Sequence, residues 1–298
     1  MDYVIQQALN ALSFGAEYAL IALGLAIVFS IMGLVNFAHG EVIAFGGYSM
    51  VMISTVLTGN PWFLMIGVLV ATVLASLTLE RVAFRTIRGA DLTTGLLTAF
   101  GVSIILQNLF LLLGSPRPIP ATQFIFLDQT LTIGAIRISS LQIYEAITTV
   151  VAIGLLLTFL RKTTLGMAMR AAALDFEMVR LCGVRANRVI AGAFAISGLL
   201  AGLAAIFIMA RRGSVDPHMG FNPVLTAFVA CVIGGFGSLP GAVLGGFLLG
   251  ITEVAVLVLL PQEYGGLAQA VVFTLVALVL IWRPDGILSP AQEKGDKV

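Results

Sequence analysis

Along this chain, long apolar runs alternate with short polar interruptions. Stretches 8–35, 42–58, 62–79, 92–113, 141–160, 189–210, 223–238, 241–260 and 265–282 hold almost no charge. Each approaches the ~20 residues that a helix needs to cross ~30 Å of hydrocarbon. The segments take up well over half the chain, and the remainder is too short and broken for a separate soluble domain. The pattern therefore predicts one all-α polytopic membrane domain over residues 1–298, with eight to ten transmembrane or broken helices. Barrel strands, which would alternate apolar and polar residues over roughly 10 positions, do not occur.

Composition agrees with this pattern. Of 298 residues 59% are hydrophobic and 10% charged, against about 25% charged in a soluble domain. The chain opens with Asp2 and has no Lys or Arg before Arg81, unlike a cleaved leader with its basic start, so the first span is expected to be retained. Cys182 and Cys231 are the only cysteines. They offer neither a disulfide framework nor a metal spacing, and both are expected to pack as small apolar residues.

Charge distribution supplies an orientation. Arg81, Arg85 and Arg88 follow the third run; Arg161, Lys162, Arg170, Arg180, Arg185 and Arg188 follow the fifth. Basic loops face the cytoplasm, which puts the amino terminus outside and the carboxyl terminus, with Arg283, Lys294 and Lys297, inside. Arg211 and Arg212 then fall outside, against the rule, a conflict that points to a re-entrant or broken helix within 223–241. Residues 114–140, with Pro116, Pro118 and Pro120, read as one sizeable external loop with a small hairpin.

Polar residues inside apolar runs are candidate functional groups. Glu17 and Glu145 lie near the expected external ends of their spans, with no intramembrane Lys or Arg to pair with them, and read as interfacial carboxylates; Glu253 lies deeper. In "VNFAHGEVIAFGGY" (35–48), Asn36, His39, Gly40 and Glu41 separate two apolar runs. This is either a broken helix lining a cavity or a short capped turn. Gln107 and Asn108 are adjacent in the fourth span, so one can line a pathway while the other bonds a neighbour. Asn36, His39 and Glu41, with Thr98 and Asn108 as further wall residues, form the expected translocation pathway. It carries no fixed positive charge, because no Lys or Arg lies within an expected span. Gly241 with Gly245, Gly246 with Gly250, and Gly198 with Gly202 are spaced for close helix contact. "GSLPG" and "AHGE" each precede a similar run, a weak hint of an internal repeat.

Residues 165–182 read as a helix with two apolar stripes. Leu165, Met169, Ala172, Phe176 and Val179 form one; Met167, Leu174, Met178 and Leu181 form the other, with Arg170, Asp175 and Glu177 between them. One face suffices to lie on the membrane domain, so the second asks for a partner protein. Gly183 supplies the C-terminal stop.

"VNFAHGE", "TLGMAMRAAALDFEMVRLCGV", "AFVACVIGGFGSLPGAVLGG" and the terminal "RPDGIL", in this order, resemble the permease subunits of high-affinity branched-chain amino acid ABC importers of the LivH type. The resemblance implies the ABC importer permease fold and a multi-pass place in the bacterial cytoplasmic membrane. It implies as partners a homologous LivM-type permease, two ATPase subunits that bind ATP and Mg, and a periplasmic binding protein delivering a small-molecule substrate. The loop 161–188 becomes the coupling loop, with Arg170, Asp175, Phe176, Met178, Leu181 and Gly183 meeting an ATPase. The chain has no phosphate-loop motif, so no cofactor and no catalysis are expected here. The competing reading is a stand-alone ion-coupled transporter using Glu17, Glu145 or Glu253.

Overall fold

A computed structural model describes residues 2–56, 60–133, 136–282 and 286–288. Helices form where the apolar runs lie: α1 (Asp2–Met32), α2 (His39–Val56), α3 (Pro61–Leu79), α4 (Leu92–Leu113), α5 (Ser140–Lys162), α8 (Ala186–Arg212), α9 (Phe221–Gly234), α10 (Leu239–Leu259) and α11 (Ala268–Trp282). Between α5 and α8 lie the short α6 (Thr164–Leu174) and α7 (Phe176–Leu181). Seven helices among the described residues are long and apolar enough to span a bilayer. Of the others, α9 has 14 residues, about 21 Å at 1.5 Å per residue, too short to cross. Local chemistry sets the starts: Asn60, Asp91, Ser139 and Ser238 accept hydrogen bonds from backbone N–H groups of the first turns of α3, α4, α5 and α10. The charged carboxyl-terminal residues Arg283, Lys294 and Lys297 lie outside the described residues.

The centre is the antiparallel pair α1 and α8. Arg211 near the end of α8 meets the first half of α1, whereas Ser197 lies beside Gly24, further along α1. Around this pair the contacts repeat. Helix α1 packs on α10 as α8 packs on α3; α2 sits on α3 and α8 as α9 sits on α10 and α1; α4 touches α2 as α11 touches α9. The chain thus holds two four-helix repeats of opposite sense, α1–α4 and α8–α11, with α5 left over, the inverted architecture of many transporters. The repeat hinted at by "GSLPG" is corrected: the counterpart of the break 33–38 is the segment 213–220, which likewise separates a long helix from a short one.

Glycines make the repeated contacts close. A Cβ on Gly246 would lie 2.6 Å from Ala19 N, and one on Gly198 2.8 Å from Thr72 O. Gly250 meets Gly15 of α1, and Gly241 and Gly245 meet Gly234 and Ala230 of α9. Each small-residue pair thus lies on a helix–helix seam where backbone touches backbone.

At one end of the bundle lie the α3–α4 turn and α6–α7, hereafter the basic end. At the other, β1 (Ile119–Pro120) pairs antiparallel with β4 (Ser214–Val215), and β2 (Thr130–Ile133) pairs with β3 (Ile136–Ser139), the small hairpin expected in the loop 114–140. Residues 165–182 are two helices, not one. Asp175 leaves helical geometry at φ −149° and ψ 102°, and its carboxylate caps α7 by accepting from Met178 N at 2.9 Å. A short acid that can cap its own following turn competes with helix continuation. Cys231 is buried as expected, whereas Cys182 is exposed.

Candidate functional site

The first polar site is the break between α1 and α2. Gly33, at φ +67°, ends α1, a left-handed conformation suited to glycine. The chain then turns back so that α2 starts beside Gly24, eight residues or about 12 Å before the end of α1. The segment 213–220 does the same from the opposite end, bringing Gly220 so near Gly40 that a Cβ on Gly40 would lie 2.6 Å from Gly220 O. Helices α2 and α9 therefore begin against each other in the interior. Of the two readings of 35–48, the structure selects the broken helix.

Here Asn36, His39 and Glu41 are buried. His39 Nδ1 lies 3.0 Å from Ser197 Oγ. Glu41 Oε1 accepts from Ser103 Oγ at 2.9 Å and Gln107 Nε2 at 2.8 Å, while Gln107 Oε1 lies 3.2 Å from His218 Nδ1. Glu41 Oε2, His39 Nε2 and Asn36 Oδ1 have no hydrogen-bond partner among the described residues. Glu41 also borders an apolar cavity of about 410 Å³ walled by Phe45, Leu74, Leu106 and Phe110. Thr98 and Asn108 do not join this group: they sit on the outer face of α4, donating to Thr94 O and Ile104 O of their own helix. Of the two adjacent amides, Gln107 is the inward one.

The second site lies toward the opposite end and overturns the sequence reading of the carboxylates. Arg211 donates to Glu145 at 2.6 Å, pairs with Glu17 at 3.1 Å and reaches Ser13 Oγ at 3.3 Å. Its guanidinium lies 4.8 Å from the Phe14 ring centroid. Ser13 in turn donates to Glu145, and Tyr18 donates to Glu253. Glu17 and Glu145 are therefore buried partners of a cation rather than solvated interfacial groups. A carboxylate in a span is costly, and an arginine fork with five donors can hold two at once. The charge of Arg211 is thus consumed within the bundle rather than presented by a loop, so it does not count in the loop-charge pattern from which the sequence orientation was read. A cavity of about 350 Å³ adjoins the cluster. The expectation of a core without fixed positive charge is thus corrected. The signal was present in two unexplained acids and one misplaced arginine, each accounting for the others.

The third site is the α6–α7 surface. Met169, Ala172 and Val179 are buried against the bundle and Leu165 and Phe176 are half-buried, whereas Leu174 is 91% and Leu181 81% exposed, with Met167 and Met178 also outward. Arg170 and Asp175 are exposed beside this outer stripe, and Gly183 closes α7 at φ +79°. Both stripes therefore exist, and the outer one has no partner among the described residues. Among the described residues no group of His, Cys, Asp and Glu is arranged to hold a metal.

Known proteins agree with this architecture. The chain is 36% identical to the high-affinity branched-chain amino acid transport system permease protein BraD of Pseudomonas aeruginosa, and 38% identical to the LivH permease protein of Escherichia coli K12, over 98% of this chain and of each relative. Its fold is similar to that of PsaBC from Streptococcus pneumoniae, with a TM-score of 0.50 at 14% identity over 96% of this chain and 92% of that one. The family model for the permease component of branched-chain amino acid transport systems matches residues 7–280. With its inverted apolar helices and its match along nearly the whole chain, this multi-pass membrane protein belongs to that permease family.

Proposed function

We propose that this chain is the permease subunit of an ATP-driven importer for branched-chain or other small hydrophobic amino acids. It works beside a homologous LivM-type permease, two ATPase subunits that bind ATP and Mg, and an external binding protein. The observation that carries the energy-coupling part is the exposed stripe Met167, Leu174, Met178 and Leu181 outside the spans. Methionine and leucine in water suit a protein groove, and the chain has no phosphate loop of its own. The basic end then faces the cytoplasm and the hairpin end faces the binding protein. The buried acids do not favour a stand-alone ion-coupled carrier, because each is already engaged within the chain: Glu17 and Glu145 share Arg211, and Glu253 accepts from Tyr18.

Replacing Met178 and Leu181 together by Asp is the test. The double variant should insert normally yet fail to co-purify with the ATPases, and vesicles carrying it should lose ATP-driven leucine uptake. An intact core complex with full uptake would refute the docking role.

A further inference from the structure

We propose that the cavity of about 350 Å³ between α1, α8, α9, α10 and α11 is a transient binding site for a zwitterionic aliphatic amino acid, an inference that rests on the importer reading above. Its volume falls in the range of small-molecule pockets, roughly 300–1,000 Å³. The walls include Phe14, Ile208, Val272 and Phe273, and the ionisable groups facing it are Glu17, Tyr18, Arg211, Arg212 and Glu253. Much of this polar capacity is already committed: Arg211 serves Glu145, Glu17 and Ser13, and Tyr18 holds one oxygen of Glu253.

What remains has a definite chemistry. Three carboxylates gather around a single internal guanidinium, so negative charge is in surplus. Glu17 is 7% exposed and, among the described residues, its Oε2 accepts no hydrogen bond and has only the Arg211 ion pair. Arg212 is underused, with Asp216 3.9 Å away. A spare carboxylate, an available guanidinium and an apolar hollow complement an α-ammonium, an α-carboxylate and a branched side chain. Glu253 receives the ammonium and Arg212 the carboxylate, while Ile208, Val272 and Phe273 enclose the side chain. Neither end is gripped by a dedicated pair, which suits a station from which solute must leave.

The test uses the complete importer in nanodiscs, with Cys182→Ser, Cys231→Ala and Asn222→Cys in this chain. Asn222 lines the cavity, so its cysteine reports occupancy through its rate of modification by methyl methanethiosulfonate. Leucine should slow that reaction. Leucinamide, lacking the carboxylate, and 4-methylpentanoate, lacking the ammonium, should each need about thirtyfold higher concentration, the loss expected for one buried charge contact. E253Q should weaken protection by a similar factor and E253D by less; the comparison of leucine with its analogues on the reporter chain with Glu253 intact needs neither variant to fold. Equal protection by an analogue overturns the assignment of the end it lacks. Leucine uptake without any protection overturns the site and leaves the importer reading standing; failure to take up every aliphatic amino acid tested overturns the importer reading instead.

Discussion

Two buried carboxylates in this molecule meet the same difficulty in different ways. Glu145 is neutralised by a cation, Arg211, brought from the end of another helix. Glu41 is satisfied on one oxygen by neutral donors, Ser103 and Gln107 of α4, and left bare on the other. The first arrangement ties α1, α5 and α8 together at one end; the second joins α2 to the otherwise lightly attached α4. An ion pair with several partners makes a rigid corner, whereas a half-satisfied acid beside a cavity makes a joint that can be remade. Removing one member should therefore hurt the first far more than the second.

The largest effect is expected for R211M, which strands two buried carboxylates. Breaking a buried pair costs about 3–5 kcal/mol, so thermal unfolding of the purified complex should shift sharply downward, with R211K intermediate because it keeps charge but loses the fork. A stability equal to wild type would mean that Glu17 and Glu145 are solvated after all. Next comes G246L, which separates α10 from Ala19 of α1; overpacking of about 1–3 kcal/mol should appear in the same melt, and an unchanged midpoint would show that the seam does not depend on close backbone contact. E41Q keeps the acceptor used by Ser103 and Gln107, so about 1 kcal/mol or less is expected. A larger loss would show that Glu41 needs its charge.

The smallest effect belongs to Asp91, an exposed cap whose carboxyl is held below its ordinary 3.8 by hydrogen bonds from the Thr94 hydroxyl and amide. A lowered folded-state value favours the folded chain above 3.8, and that contribution fades as pH falls through the lower value. D91A should thus be slightly less stable than wild type at neutral pH and converge with it in acid. A gap that widens in acid would contradict the capping role.

The spans were legible in the sequence because bilayer crossing demands long uncharged runs, and these coincide with the helices within a few residues. The break at Asn36–Glu41 was half legible: polar residues interrupting apolar ones marked the place, but a broken helix and a short capped turn leave the same pattern, and only the position of α2 beside Gly24 separates them. Hydropathy says nothing about azimuth or partners. Nothing local could therefore reveal that Arg211 meets Glu145, 66 residues away in the chain, or that Gln107 turns inward while Asn108 turns out. The stop at Asp175 was hidden for another reason: the apolar stripe continues across it, and only the backbone angles disclose the second start.

The unpaired helix α5 has a consequence for how the chain is threaded into a bilayer during synthesis. Four helices return the chain to the end from which it set out, so a second repeat joined directly to the first would enter in the same sense and could not oppose it. One additional crossing reverses the parity. The turns carry matching instructions: between α3 and α4 stand Arg81, Arg85 and Arg88, whereas the equivalent turn between α10 and α11 holds Glu263 and no basic residue. Deleting α5 would remove Glu145 with it and leave each repeat nearly complete in itself, yet inserted so that α1 and α8 run parallel, with Arg211 on the far side of the membrane from Glu17, the acid that remains.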